Sequence, residues 1–489
     1  MVTEKYLAYD LVIFGTKGDL ARRKLLPSLY KLEKTKKLNK HTKIIGVGRA
    51  NWNKENYSEM VHEALEKFMN EPIKTKFWNK FRKKLYFCNI DVNYIDHFSK
   101  LKKMFDQKNK TIINYLAMPP NTFGMICKGL AMYNLNNISS RIVMEKPIGD
   151  SLKSSQYIND KVGKYFKESQ IFRIDHYLGK ETILNLLAIR FSNSLFIHNW
   201  SNKNIDHIQI TVSENIGIEG RWGYFDKSGQ IRDMVQNHLL QILSIVAMSV
   251  PLDLSADSIR DEKVKILKSL KPINQKNIKR KIILGQYSEG YINNKLVPSY
   301  LKEFNANIKS NTETFVCMKI NINNWRWAGV PFYLRTGKRL PIKNSEIAIY
   351  FKNTPTNLFK NSLKNIPQNK LVIKLQPDEG LYINIINKVP DIDSTYKLKE
   401  IKLSAKYSKL FKKKTIPDAY ERLLFDSMIG KQALFVRKDE VEASWKWIDN
   451  IINAYKKIKL KPELYPAGTW GPQSSIELLK KDGRSWNIC

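Results

Sequence analysis

The first apolar run of the chain ends in a turn that contains glycine. Residues 11–21 read LVIFGTKGDLA, an apolar run followed by Gly15, Gly18 and a helical segment. Glycines permit a tight turn here, and the N–H groups at the amino end of the following helix favour phosphate. Because Ala21 stands where a third glycine could be, an ordinary glycine turn is an alternative interpretation. The stretch predicts a dinucleotide-binding turn between a first strand and a first helix.

Strands and helices alternate along the first third of the chain. Apolar runs at 44–47, 85–90, 112–118 and 142–144 are separated by helical patterns, which is typical of a Rossmann-like, doubly wound parallel sheet. Beyond about residue 205, apolar and polar residues alternate, as in IQITV at 208–212, which indicates antiparallel strands. We expect an α/β nucleotide-binding domain over 1–175 and a larger α+β domain with a mainly antiparallel sheet over 176–489.

The charge of the chain bears on its partners. A net charge of +37 at pH 7 suggests nucleic acid, an anionic membrane surface or small anionic substrates. The lysines are spread along the chain, and a nucleic-acid site needs them clustered, so a solvated surface is the favoured interpretation. The most apolar stretch, 239–250, is shorter than the roughly 20 residues that span a bilayer. We therefore expect neither a nucleic-acid partner nor a membrane partner.

The terminus and the cysteines indicate a cytoplasmic protein. Residues 1–5, MVTEK, carry no apolar leader. The four cysteines, Cys88, Cys127, Cys317 and Cys489, are dispersed and lack the paired spacing of zinc sites or disulfide scaffolds. We expect reduced thiols and no bound metal.

Residues at the ends of the predicted strands favour NADP as the cofactor. The second strand is followed by Arg49, where NAD-binding proteins carry an acidic residue for the ribose hydroxyl. A guanidinium can instead bind a 2′-phosphate bidentately, although Arg49 is also interpretable as one more surface arginine. Asp91 and Val92 follow the third strand and are candidates for the adenine side.

A fifth strand ends in MEKP at 144–147. A cis bond before Pro147 would direct Lys146 into the cleft at the carboxyl ends of the strands, and a strand-terminal proline is also a simple stop signal. The Glu-Lys-Pro triplet occurs in sugar oxidoreductases of the glucose-fructose oxidoreductase type as well, so it does not identify a substrate.

The most specific stretch is RIDHYLGKE at 173–181. It resembles the signature of the glucose-6-phosphate dehydrogenase family, and flanking motifs continue the resemblance as far as PDAYERLL at 417–424 and AGTWGP at 467–472. His176 and Lys180 would share one helical face if the helix that follows included both. Together with Tyr177 they could bind a phosphomonoester.

The resemblance implies an enzyme that oxidises glucose 6-phosphate to 6-phosphoglucono-1,5-lactone with NADP, the first step of the oxidative pentose phosphate pathway. It implies His238 as general base with Asp175 as its orienting carboxylate, and a homodimer or homotetramer built through the sheet of the second domain. The candidate cofactor residues, from the glycine turn and the strand ends, are Gly15, Thr16, Lys17, Gly18, Asp19, Leu20, Arg49, Asp91, Val92 and Lys146. The implied substrate residues are His176, Tyr177, Lys180, Glu214, Asp233, Lys338 and Lys343. Whether the chain has the second, structural NADP site of some relatives stays open.

Other interpretations remain for one residue and for the whole chain. Asp233, three positions before Gln236 and an apolar run, also fits a capping box, with Asp233 as helix N-cap. In an ideal α-helix His238 would lie about 140° round from Asp233, so the two would not pair. Rival functions for the chain are another NADP-dependent sugar oxidoreductase, a basic nucleic-acid-binding protein and a catalytically silent scaffold.

Overall fold

The computed structural model describes residues 9–105, 110–392, 396–411 and 416–487; Cys489 lies outside these ranges. The strands are β1 (Tyr9–Phe14), β2 (Lys43–Gly48), β3 (Leu85–Asn89), β4 (Thr111–Leu116), β5 (Arg141–Met144), β6 (Ile171–Ile174), β7 (Ile205–Ser213), β8 (Ile282–Ser288), β9 (Gly290–Ile292), β10 (Lys295–Val297), β11 (Phe315–Asn321), β12 (Pro331–Gly337), β13 (Asn344–Phe351), β14 (Lys370–Gln376), β15 (Gly380–Lys388), β16 (Leu398–Lys406), β17 (Phe435–Val436) and β18 (Glu463–Pro466).

Two stretches are π-helical, Ala21–Leu25 and Ile231–Leu239. The α-helices are α1 (Leu26–Lys34), α2 (Lys54–Phe68), α3 (Thr75–Arg82), α4 (Phe98–Lys102), α5 (Phe123–Met132), α6 (Leu152–Gly163), α7 (Glu181–Ser192), α8 (Ser194–Ile197), α9 (Trp222–Gln230), α10 (Leu240–Ala247), α11 (Ala256–Lys268), α12 (Tyr407–Leu410), α13 (Ala419–Ile429), α14 (Lys438–Lys457) and α15 (Gln473–Lys480).

The first sheet confirms the predicted doubly wound fold. Its strand order is β17-β6-β5-β4-β1-β2-β3, and every neighbouring pair is parallel except β17 with β6. The chain runs outward from β1 to β3 and then crosses to β4, so the order reverses between β1 and β4. All six residues of β1 are buried, as expected for a strand covered on both faces. Ligands of such sheets bind where the order reverses, at the carboxyl ends of the strands.

The second sheet has nine strands in the order β16-β15-β14-β13-β7-β12-β11-β8-β18. Only β12 with β7 and β18 with β8 are parallel pairs, which confirms the predicted, mainly antiparallel sheet. Helix α7 contacts β14 and α10, and all of α10 is buried. A separate cluster of buried aromatic residues includes Tyr287 of β8, Phe315 of β11 and Tyr465 of β18.

The chain divides into two compact units. Unit 1 contains Met1–Lys180, Pro251–Asp261 and Pro417–Glu442, and unit 2 contains the rest. The first junction lies a few residues beyond the predicted boundary, and the two later segments of unit 1 were absent from the predicted first domain. Among the described residues, no helix combines the length and the hydropathy that a membrane span requires.

Candidate active site

The glycine turn is shaped by the strand that lies beside it. Gly15 has φ +83°, and a Cβ there would lie 2.4 Å from the carbonyl oxygen of Ala117. Gly15 and Thr16 donate their N–H groups to the carbonyl of Val47, at 3.1 and 3.4 Å, and Gly18 donates to Gly15 at 2.9 Å. A side chain at position 15 is therefore excluded, and the turn is held between the carboxyl ends of β1, β2 and β4. Gly15 therefore fixes the course of the turn at the point where the strand order reverses, which is where dinucleotides bind in sheets of this kind.

A cavity of about 340 Å³ lies beside the turn. Lys17 places its Nζ 4.6 Å from the centre of the Trp52 ring, and Arg22 joins both residues in the lining together with Asn56, Glu59, Met60 and Glu63. The Arg22 Nε atom is buried and has no hydrogen-bond partner among the described residues. An unpartnered guanidinium nitrogen and an aromatic wall fit the phosphate and base of a nucleotide.

Other predicted cofactor residues have structural contacts. The Thr16 hydroxyl is buried and lies 2.8 Å from that of Tyr57, so this side chain contacts the protein itself. Asp19 is exposed and forms an ion pair with Arg23 at 2.6 Å, and Leu20 precedes the π-helix as its N-cap.

The predicted cofactor residues at the strand ends differ in how accessible they are to a ligand. Arg49 is exposed directly after β2. Asp91 Oδ1 accepts from the Asn93 N–H at 3.0 Å and from its Nδ2 at 2.9 Å, so this carboxylate closes a turn. Val92 is buried. Arg49 is therefore the more accessible member of this predicted group.

The MEKP segment contains a buried carboxyl group that the sequence analysis did not assign. The Lys146–Pro147 bond is cis, which is one of the two interpretations that the sequence left open. Tyr115 donates its hydroxyl to Glu145 Oε1, and the Lys146 N–H donates to Oε2 at 3.3 Å. Burial raises the pKa of Glu145 to about 7, with a smaller contribution in the same direction from the charge of Asp175. The only sequence signal for Glu145 was its place beside Lys146.

The DHYLGK segment forms a turn at the end of β6. Asp175 is buried, and its Oδ1 accepts from the Tyr177 N–H at 3.0 Å. A Cβ at Gly179 would lie 2.7 Å from the carbonyl of Ala419, so the turn packs tightly against the start of α13. Helix α7 begins at Glu181 and includes neither His176 nor Lys180, so the condition for a shared helical face is not met.

The turn nevertheless brings the predicted phosphate-binding residues together. Lys180 Nζ lies 5.1 Å from the centre of the Tyr177 ring, and the His176 ring centre lies 5.0 Å from it. His176 also stacks on Tyr420 at 6.1 Å with an interplanar angle of 15°. Tyr420 was missed as a functional residue, although its segment belongs to the resemblance. An imidazole, a phenol and an ammonium group in one cluster suit a phosphomonoester.

Asp233 and His238 lie on the π-helix of unit 2. The helix begins at Ile231 with Gln230 as its N-cap, so the prediction that Asp233 caps the helix is wrong. A π-helix closes its hydrogen bonds between residues i and i+5, which places these two residues about one turn apart on the same side. The 140° separation expected from an ideal α-helix is therefore also wrong. His238 is fully buried and Asp233 is partly buried.

Glu313 holds the amino end of this helix. Its Oε1 accepts from the Ile231 N–H at 3.1 Å, and its backbone carbonyl accepts from Gln230 at 3.0 Å. Gly229 has φ +66°, and a Cβ there would lie 2.4 Å from Glu313 Oε1. Burial raises the pKa of Glu313. No sequence signal pointed to this residue, because its partners are distant along the chain.

Three side chains hold the carboxyl end, where the π-helix has continued into α10. Arg190 donates to the carbonyls of Ile245 and Met248 at 2.5 and 2.6 Å. The indole N–H groups of Trp200 and Trp327 donate to the carbonyls of Val246 and Ala247, at 2.8 and 2.7 Å respectively. Carbonyls without a partner inside the helix thus accept hydrogen bonds from buried side chains. These bonds hold the carboxyl end of the helix in position.

Glu214 and Lys338 follow the neighbouring parallel strands β7 and β12. Lys338 Nζ lies 2.5 Å from Glu214 Oε2, and the lysine side chain is 4% exposed while that of Glu214 is 25% exposed. The structure thus joins two predicted substrate residues in one ion pair. Lys343 is exposed, between β12 and β13.

A doubly wound parallel sheet with a glycine turn where the strand order reverses is typical of nicotinamide-dependent oxidoreductases. Residues 12–185 match the family model described as "Glucose-6-phosphate dehydrogenase, NAD binding domain", and residues 187–487 match "Glucose-6-phosphate dehydrogenase, C-terminal domain". The chain belongs to the glucose-6-phosphate dehydrogenase family, as the resemblance predicted.

Similar proteins match over the whole chain. Glucose-6-phosphate 1-dehydrogenase of Dickeya dadantii is 57% identical over 486 residues, and that of Buchnera aphidicola subsp. Baizongia pistaciae is 60% identical over 486 residues; each match covers 99% of both chains. A solved glucose-6-phosphate dehydrogenase in complex with its substrate glucose 6-phosphate has a TM-score of 0.90 at 34% identity and covers 100% of both chains.

Proposed function

We propose that this chain oxidises glucose 6-phosphate at its anomeric carbon to 6-phosphoglucono-1,5-lactone, with NADP as the hydride acceptor. The observation that carries the proposal is the cluster of His176, Tyr177 and Lys180, which suits a phosphomonoester and lies in the segment most specific to the family. A sugar without the phosphate would lose charge-assisted hydrogen bonds to this cluster.

The reaction needs a proton acceptor at the anomeric hydroxyl. When bound, the nicotinamide cofactor supplies the hydride-accepting carbon. His238 takes the hydroxyl proton, a task that suits imidazole because its ordinary pKa lies near neutrality. Asp175 orients the imidazole and stabilises its protonated form. The anchored helix keeps His238 in place during the transfer.

The Glu214–Lys338 pair and Asp233 bind the sugar of the substrate. The partly exposed Glu214 carboxylate accepts from sugar hydroxyls while Lys338 holds it in position, and Asp233 lies on the same side of its helix as His238. Lys343, which is exposed, adds a positive charge for the substrate phosphate.

The preference for NADP rests on cationic groups near the glycine turn. Arg49 follows β2, and Arg22, whose buried Nε has no hydrogen-bond partner among the described residues, lines the neighbouring cavity; both guanidinium groups suit a 2′-phosphate. Gly15, Thr16 and Gly18 shape the turn through their own backbone hydrogen bonds, and Lys17, Asp19 and Leu20 offer backbone N–H groups to the pyrophosphate. Lys146, Asp91 and Val92 lie at the adjacent strand ends.

We further propose a cytoplasmic homodimer or homotetramer built through the second sheet. On β15 and β16 the cross-strand pairs Ile383 with Leu403 and Ile385 with Ile401 present one apolar face, and all four side chains remain partly or largely exposed. Exposed apolar patches of this kind mark interaction surfaces.

The test is absorbance of reduced nicotinamide with purified protein, glucose 6-phosphate and either NADP or NAD. We expect rapid reduction of NADP, slower reduction of NAD and very little with unphosphorylated glucose. Equal rates with glucose would favour another sugar oxidoreductase, and silence with both cofactors would overturn the enzymatic proposal.

A further inference from the structure

A second cavity of unit 1 is lined mainly by lysines. It has a volume of about 520 Å³. Among the thirteen described residues that line it, seven are lysines and one is acidic, whereas lysine and arginine together make up 83 of the 489 residues of the chain. The lining lysines are Lys36, Lys40, Lys43, Lys80, Lys83, Lys84 and Lys110. The cavity therefore concentrates charge well beyond the general bias of the sequence.

The cavity lies at the edge of the first sheet opposite the glycine turn. Lys43 begins β2, Lys84 precedes β3 and Lys110 precedes β4, so these lysines stand at the amino ends of parallel strands. The dinucleotide turn follows the carboxyl end of β1. The two anion-attracting regions are thus separated by the length of the strands.

Three lysines are held in place by the backbone. Lys84 is buried and donates to the carbonyl of Asn39 at 2.7 Å. Lys43 donates to the carbonyl of Met104 at 2.9 Å, and Lys110 to that of His41 at 3.1 Å. Their positive charge therefore stands at fixed positions in the wall of the cavity.

Among the described residues, one acid lines the cavity against seven lysines. Glu33 Oε2 lies 3.8 Å from Lys84 Nζ, and burial raises the pKa of Glu33 and lowers that of Lys84, so this pair changes the net charge of the wall little. The buried Thr42 hydroxyl, also in the lining, has no hydrogen-bond partner among the described residues. An unpartnered hydroxyl inside a cationic wall is a donor suited to an anion.

We propose that this cavity binds an oligophosphate, a chain of at least three linked phosphate groups. Converging ammonium groups repel each other unless a multiply charged anion lies between them, and lysine binds phosphate as a point charge. Lys43 and Lys54 already cover the Tyr86 ring, at 5.7 and 4.3 Å, so the cavity recognises the phosphate chain rather than a stacked base. The ligand is free inorganic oligophosphate or the triphosphate of a nucleotide.

The experiment is calorimetric titration of the full chain with tripolyphosphate and, separately, with ATP, in the presence of saturating NADP to occupy the dinucleotide turn. We expect single-site binding of tripolyphosphate that weakens steeply with added salt. ATP binding of similar affinity would assign recognition to the phosphate chain. Binding of ATP without binding of tripolyphosphate would overturn the proposal.

Charge-reversal variants of the lining lysines test whether tripolyphosphate binds in this cavity. Lys80→Glu with Lys83→Glu changes two exposed lining lysines and should weaken tripolyphosphate binding about tenfold or more. The matched control, Lys276→Glu with Lys279→Glu, makes the same charge change at exposed positions outside the cavity and should leave affinity within about twofold. Equal loss in both double variants, or no loss in either, would contradict the proposal.

The outcome is independent of the proposed dehydrogenase activity. Neither pair of lysines belongs to the proposed catalytic or cofactor residues, so both double variants should oxidise glucose 6-phosphate at the unaltered rate. If the chain lacks that activity, the same titrations are repeated without NADP. They still decide whether the cavity binds oligophosphate, because only the cavity variant should lose affinity. Thermal melting of both double variants checks that each is folded.

Discussion

The turn that contains Asp175 and the helix that contains His238 are built in different ways. Asp175 is held by the N–H of Tyr177, two residues away, whereas the His238 helix is anchored by Glu313, 82 residues from its partner Ile231, and by Arg190, 55 residues from its partner Ile245. Local hydrogen bonds make a motif recognisable in the sequence. Long-range anchors leave no such pattern, although they position an equally important side chain.

Removing the proposed base should have the largest effect. His238→Asn is expected to lower kcat by about 10²- to 10⁴-fold with a modest change in KM, because general-base loss affects the transition state. Steady-state kinetics with both substrates varied would measure this. His198→Asn, at an exposed position, is the control. A kcat near that of the unaltered protein would remove His238 from the mechanism.

Glu145, near the turn that contains Asp175, should make the stability of the protein depend on pH. Its pKa is raised from 4.5 to about 7, so the folded state binds the proton more tightly than the unfolded state does. The stability from this group is complete below pH 4.5 and is lost as pH rises to about 7, a change of roughly 3 kcal/mol. Glu145→Gln should flatten this part of the pH dependence, as measured by urea unfolding across that range. An unchanged slope would mean that Glu145 titrates normally.

Breaking the long-range anchor should affect stability and catalysis together. Glu313→Leu leaves the buried Ile231 N–H without its acceptor and should lower the free energy of unfolding by about 1–3 kcal/mol, with a parallel fall in kcat. Glu313→Gln keeps an acceptor oxygen and should recover most of both. Glu66→Leu, at a side chain that is 62% exposed, controls for the loss of a carboxylate. If Gln and Leu behave alike at position 313, the hydrogen bond to Ile231 is not what holds the helix.

The smallest effect should come from the local phosphate cluster. Lys180→Ala is expected to raise the KM for glucose 6-phosphate by about 10- to 100-fold, equivalent to one charged hydrogen bond, while the melting temperature stays nearly unchanged. Lys164→Ala, at an exposed position in the same unit, is the matched control. A loss of stability without a change in KM would show that Lys180 stabilises the fold and does not bind the substrate.

Much of the fold and part of the site could be predicted from residues close together in the sequence. The glycine turn, the alternation of strands and helices, and the DHYLGK motif depend on contacts within a few positions, and their fold and family predictions are confirmed. The expected geometry did not hold at two places, for two reasons: one helix begins later than the motif required, and another is not a regular α-helix. Lys180 lies before the helix, and Asp233 and His238 lie on a π-helix.

The order of the motifs, the class of each domain and the family depend on residue type and spacing, so they could be predicted from the amino-acid sequence. The ion pair of Glu214 with Lys338, the anchoring of the His238 helix by Glu313 and Arg190, and the convergence of lysines on one cavity are visible only in the folded chain. Those arrangements arise when distant segments pack, and a buried polar group requires a partner wherever along the chain that partner happens to be.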